Sequence, residues 1–267
     1  MTAGAIVRVV CATAVVLAVA FVAGRRRASA DPADAATSAD PRLRTARSHP
    51  MRYYVSLPHG WSPDRRWPVL LTLEGSGRAY ERNHADFVAA RGDRPYIIVT
   101  PQILSNRGGN RDRGLYPAAV WAGVDRQGSA TFDTAGVFAV LRDVAGQYRG
   151  EDRAYLTGFS SGGHLGWALV LTRPEAFRAA VMVSPNFAWR GVTTVSEAPE
   201  RATLPLHVFM ASREEYIRYV EPQWRTVSKV LAEHGFAPAP RTVIDDGQHA
   251  ARPDRVIGFM DSVRTGA

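Results

Sequence analysis

Short apolar runs alternate with longer amphipathic stretches over most of the chain. RYYVSL at 52–57 and PVLLTL at 68–73 are rich in β-branched and aromatic residues, with a Pro-His-Gly turn between them. Further short runs lie at 96–100, 154–157, 179–183, 206–210 and 241–244. Bounded by Gly, Pro or Asp, they suit strands buried on both faces of a parallel sheet. Helical periods fall between them. Val137, Val140, Leu141, Val144 and Tyr148 step by three or four and define one apolar face. Trp224, Val227, Val230 and Leu231 do the same, with Pro222 at the expected start of that helix and Gly235 at its end. The stretch 164–171 is apolar nearly all round and predicts a buried helix. Val256, Ile257, Phe259 and Met260 predict a terminal helix over 254–263. Strand–helix alternation of this kind predicts an α/β fold with a mostly parallel central sheet flanked by helices.

The first fifty residues follow a different pattern. An uncharged run of fifteen, VVCATAVVLAVAFVA, begins at Val9. It is shorter than the roughly 20 residues of a spanning helix and matches the core of a signal peptide. Ala28-Ser29-Ala30 resembles a cleavage site, but Arg25, Arg26 and Arg27 stand just before it, as in an uncleaved anchor. Residues 1–30 are therefore expected to be a signal peptide or membrane anchor. The protein would then be secreted or extracytoplasmic, with membrane contact only through that segment. Residues 31–49, rich in Ala, Asp, Ser and Pro, predict a disordered linker. One catalytic domain is expected over 50–267.

Charge adds little once it is located. The chain carries +8, but residues 1–30 hold four arginines and no acid, which is half of it. No basic helix or aromatic–basic stripe in the body supports nucleic-acid binding. The single cysteine, Cys11, lies in the N-terminal apolar run, so the body has no disulfide and no Cys-based zinc site. With no H-E-x-x-H, P-loop or G-x-G-x-x-G in a suitable setting, neither a metal nor another cofactor is expected.

The chemistry centres on Gly158-Phe159-Ser160-Ser161-Gly162, a G-x-S-x-G between a predicted strand and a predicted buried helix. That setting suits a sharp turn that lifts Ser160 above the sheet at a helix N-terminus. Serine needs a base to act as a nucleophile. His249 follows a strand and precedes the last helix, where such a base would sit, whereas His164, His207 and His234 lie in helices or a strand. The acid that orients the histidine is expected after the run 206–210: Glu214 first, Glu215 second, with Asp245 and Asp246 as further candidates. Backbone N–H groups of Ser161 and of Gly75 or Ser76, in the small-residue turn after 68–73, are candidate oxyanion donors. Trp121, Phe187 and Trp189 are candidate substrate contacts. The stretch 101–130, with Arg107, Arg111, Arg113 and Tyr116, is a candidate loop over the pocket.

These segments resemble the α/β-hydrolase superfamily and, more narrowly, the secreted polyhydroxybutyrate depolymerase and feruloyl-esterase-like group. The likeness rests on RYYVSLPHGW and WPVLLTLEGSG within 52–77, the helix from Asp133 through Tyr148, EDRAYLTGFSSGGH at 151–164, PLHVFMASREE and GQH. It spans about residues 52–265. The resemblance implies a serine esterase or polyester depolymerase, with Ser160 as nucleophile and His249 as base, working through an acyl-enzyme. The chain departs from the group in having Glu74 where His is usual, and Glu where the acid is usually Asp. A serine peptidase or a non-catalytic binding module on the same fold are the alternative readings.

Overall fold

The computed structural model describes residues 42–106, 113–212 and 214–266, apart from the side chains of 42 and 214–216. The expected export segment, 1–30, lies outside the described residues. Eight strands form one sheet: β1 (Arg42–Thr45), β2 (Arg52–Ser56), β3 (Val69–Leu73), β4 (Ile97–Pro101), β5 (Ala154–Phe159), β6 (Phe177–Val183), β7 (Leu206–Ala211) and β8 (Arg241–Ile244). Their order across the sheet is β1-β2-β4-β3-β5-β6-β7-β8. β1, β2 and β4 pair antiparallel, and every pair from β4 to β8 is parallel. All five residues of β3 and of β4 are buried, as expected of apolar runs with helices on both faces.

Six α-helices accompany the sheet: α1 (Tyr80–Arg91), α2 (Ala118–Gln127), α3 (Ser129–Gln147), α4 (Gly162–Thr172), α5 (Glu214–Glu233) and α6 (Pro253–Thr265). The alternation along each strand sorts the core into two layers. Leu71, Leu73, Val99 and Leu156 pack with Trp121, Val140, Leu169 and Val227 of α2, α3, α4 and α5. Leu70, Ile98, Tyr155 and Val181 pack instead with Phe87 of α1 and with Val256, Ile257 and Met260 of α6. The chain runs from β3 outward to β4, then returns to the other side of β3 at β5. The direction of winding thus reverses between β3 and β5, and the crevice beyond their C-terminal ends is where open α/β sheets bind ligands.

Four details depart from the sequence reading. The expected linker at 31–49 is ordered from residue 42, where β1 adds an antiparallel edge to β2. Backbone bonds hold it, the Arg47 N–H donating to Asp143 Oδ2 at 2.7 Å, so it needs little apolar content. The expected loop at 101–130 contains α2, anchored by buried Trp121 and Val124. Pro222 lies inside α5 and does not start it. Arg218, four residues earlier, is exposed, so water can serve the carbonyl that Pro222 leaves without an N–H. Finally, α1 carries no apolar stripe: its buried positions keep helical spacing but are Tyr80, Asn83, His84, Phe87 and Arg91.

Candidate active site

β5 ends in a turn that only a tight packing of small residues allows. Ser160 has φ 51°, in the left-handed region that non-glycine residues seldom occupy. Its strained backbone is fixed from both sides. The Ser160 N–H donates to Val183 O at 2.9 Å, and Ser160 O accepts from the N–H groups of Gly163 and Asn186, each at 2.9 Å. A Cβ at position 162 would lie 2.5 Å from Leu73 O and 2.6 Å from Glu74 O. The close approach of α4 to the end of β3 therefore requires glycine there. A Cβ at Gly75 would in turn meet Ser160 Cβ at 3.3 Å, so the loop after β3 lies directly against the serine.

His249 reaches the same point from the loop after β8. Its Nε2 is 2.9 Å from Ser160 Oγ, and its ring lies 4.7 Å from that of Phe159. Burial, and secondarily the Arg252 guanidinium, holds the imidazole below its ordinary range, so it is neutral at neutral pH. In that form Nε2 can accept the serine proton. The loop is braced on both sides. Arg252 donates to both carboxylate oxygens of Asp246 and to Gln248 O, and the Gly247 N–H donates to Ser212 Oγ at 3.3 Å. Ser212 follows β7, and its N–H donates to Ile244 O at 3.1 Å, so the loops after β7 and β8 are tied together. Glu214, the expected acid, opens α5 two residues beyond Ser212. The side chains of Glu214 and Glu215 lie outside the described residues. Asp246 is engaged by Arg252, which holds its carboxyl below the usual range, and Asp245 is exposed.

Of the expected oxyanion donors, Ser161 follows the serine in the chain and Gly75 lies against it. Ser161 caps α4, and its N–H has no backbone acceptor among the described residues; the same is true of Ser76. Glu74 is buried, and burial raises its carboxyl above the usual range, against the pull of the Gly75 and Ala79 N–H groups.

The proposed substrate contacts fare unequally. Trp121 is 2% exposed, and its indole N–H donates to Arg113 O at 2.9 Å; it is core and presents no surface to a substrate. Tyr116 is likewise buried, its hydroxyl donating to Gln102 O at 2.8 Å. Arg113 pairs with Asp125 at 3.0 Å and stacks on Trp121, while Arg107 and Arg111 lie outside the described residues. Phe187 is buried, its N–H donating to Gln223 Oε1 at 2.6 Å, and it backs Trp189, which is 47% exposed. The bond from Asn186 to Ser160 places this segment beside the elbow.

Two polar side chains near the site escaped the sequence reading. Asp133 of α3 is fully buried and accepts from the N–H groups of Leu104 (2.9 Å) and Ser105 (2.6 Å). Burial pushes its carboxyl up to about 7, against those donors. Asn106, on the segment so held, binds the loop after β3. Their only sequence signal is a polar residue among apolar ones, as at Asp133 beside Phe132 and Val137. Among the described residues no group of three or more His, Cys, Asp or Glu is placed to hold a metal ion.

Strand order, helix placement and the elbow after β5 define the α/β-hydrolase fold. Solved structures agree. A thermostable esterase superposes with TM-score 0.55 at 19% identity, covering 84% of this chain and 61% of its own. A Klebsiella pneumoniae protein provisionally assigned as a dienelactone hydrolase gives TM-score 0.54 at 16% identity, covering 80% and 88%. Pyrococcus horikoshii acylaminoacyl peptidase gives 0.53 at 14%, covering 84% and 41%. The chain thus spans under two thirds of the esterase and under half of the peptidase. No curated protein matches it. The Esterase family model matches residues 45–249, most of the chain, and the protein belongs to that family.

Proposed function

We propose that the protein is a serine hydrolase of carboxylic esters, acting through an acyl-enzyme on Ser160. The observation that carries this reading is the 2.9 Å approach of His249 Nε2 to Ser160 Oγ on a strained elbow. Neutral His249 takes the serine proton as Oγ attacks the ester carbonyl, forming a tetrahedral adduct. The Ser161 N–H and an N–H of Gly75 or Ser76 hold its oxyanion. His249 then gives the proton to the leaving alcohol. A water, deprotonated by the same histidine, attacks the acyl-serine and releases the acid. Glu214, with Glu215 second, supplies the carboxylate that orients the imidazole and stabilises its charged form. Trp189, exposed beside the elbow, offers an apolar face to the acyl or alcohol part.

Membership of the Esterase family favours esters over amides; a polymeric ester is the narrower reading, taken from the likeness to polyester depolymerases. The segment 1–30 would direct the protein out of the cytoplasm. Ser160→Ala tests the mechanism. Turnover of a p-nitrophenyl acyl ester should fall by at least 10³-fold with the melting temperature kept. Unchanged turnover contradicts the mechanism. An anilide of the same acyl group, hydrolysed as fast as the ester, would make the enzyme a peptidase.

A further inference from the structure

Asn106 is nearly inaccessible, yet it lies at the end of the segment after β4 and touches the loop after β3. Its Nδ2 donates to Glu74 O at 3.0 Å, to Gly75 O at 2.8 Å and to the Tyr80 hydroxyl at 3.2 Å. The first two contacts have a consequence for the other side of that loop. In a planar trans peptide the C=O and the following N–H point in opposite directions. Glu74 O shares its peptide with the Gly75 N–H, and Gly75 O shares its peptide with the Ser76 N–H. One amide thus grips two successive carbonyls and turns two successive N–H groups the other way. These are the loop's two candidates for the second oxyanion donor; the Gly75 N–H also faces the Glu74 carboxylate, which leaves the Ser76 N–H the more open of the two, on a loop whose Gly75 lies against Ser160.

We infer that Asn106 is a positioning residue for the oxyanion hole, fixing the Gly75 and Ser76 N–H directions from behind. It does not touch substrate. The inference rests on the ester-hydrolase reading above. Asn106 is itself held in place, since Asp133 binds Leu104 and Ser105 just before it and the Tyr80 hydroxyl donates to Ile103 O. Among the described residues no other side chain bonds both carbonyls; the Arg78 N–H also donates to Gly75 O at 3.2 Å, so loss of Asn106 removes one of two bonds there and loosens both peptides.

The test compares Asn106→Ala and Asn106→Asp with the parent on a p-nitrophenyl ester, per active site titrated with a fluorophosphonate. Asn106→Asp keeps the shape but sets an acceptor against two carbonyls, so it remains informative if Asn106→Ala does not fold. Both Asn106 variants should lose roughly 10- to 100-fold in kcat with KM within about threefold. Affinity for an alkyl boronic acid, which forms a tetrahedral adduct on serine, should fall in parallel. Folded Asn106 variants with parental kcat and boronate affinity would overturn the inference. If the parent itself neither hydrolyses esters nor takes the fluorophosphonate, the ester-hydrolase reading fails first.

Discussion

Replacing Gly162 by alanine places the largest strain where the fold and the chemistry meet. The new Cβ would stand 2.5 Å from Leu73 O and 2.6 Å from Glu74 O, both backbone atoms at the end of β3. Neither atom can swing aside as a side-chain tip could. Ordinary contact begins near 3.4 Å, so α4 and the β3 end must part by about 0.9 Å. Overpacking of this kind costs about 1–3 kcal/mol. For a domain of this size each kcal/mol lowers Tm by about 2–4 °C, which predicts a fall of about 2–12 °C. The catalytic effect should be larger, because the shift separates Ser160 from the loop carrying Gly75 and Ser76. A misplacement near 1 Å costs on the order of 10²-fold in rate. Gly146→Ala is the control: it lies exposed in α3, and its Cβ would have no neighbour within 4 Å. That substitution should stabilise by about 0.5–1 kcal/mol and leave kcat alone. The assay is thermal melting of both variants, with kcat per fluorophosphonate-titrated site. If Gly162→Ala melts and turns over like the parent, the packing of the elbow on β3 is not as described.

Three further outcomes follow from the charges. The acid limb of kcat/KM against pH should report His249 with an apparent pKa below 6.5, leaving activity flat through neutrality, since burial and Arg252 both disfavour its protonated form; a limb centred above 6.5 would contradict this. Arg252→Gln removes the positive charge and should move that limb to higher pH, while loosening the loop bonded through Asp246 and Gln248 should lower kcat by roughly tenfold; an unmoved limb would show that Arg252 does not act on the histidine. His84 is fully buried, its Nδ1 3.0 Å from Thr100 Oγ1, and burial, with Arg91, takes its pKa down to about 3. With the folded pKa depressed, the unfolded chain binds the extra proton first, so this histidine's contribution is present above pH 6.5 and declines below it. His84→Gln should therefore gain about 2 kcal/mol on the parent between pH 6.5 and 5, read from urea midpoints. A constant gap between the two would refute that.

Where one face or both faces of an element are apolar, the sequence pattern located it. The buried strands β3 and β4 and the all-apolar α4 are legible because burial on every side leaves no polar positions. α1 was not legible, because its inward positions at Asn83, His84 and Arg91 are polar, His84 Nδ1 lying 3.0 Å from Thr100 Oγ1 and Arg91 donating to Ser56 O and Tyr96 O. β1 escaped for the opposite reason, since an edge strand needs only backbone partners. At the site, Ser160 and His249 were singled out because the chemistry constrains residue type, chain order and place after a strand, and the fold brings the two within 2.9 Å. Trp121 was misassigned because aromatic content cannot distinguish a pocket wall from a core; its indole is closed off by Arg113 O. Asn106 and Asp133 act only through the backbone of other segments, and such contacts leave no spacing in the sequence.

The proposed chemistry turns on Ser160 as the nucleophile, activated by His249. Its most direct test is reaction of the folded protein with a fluorophosphonate, followed by mass mapping of the adduct. One phosphonyl group is expected, on the Ser160 peptide, absent from Ser160→Ala and formed more slowly, by about 10²-fold or more, in His249→Ala. An unlabelled Ser160 in folded protein, or an adduct on another residue with ester turnover retained, would contradict it.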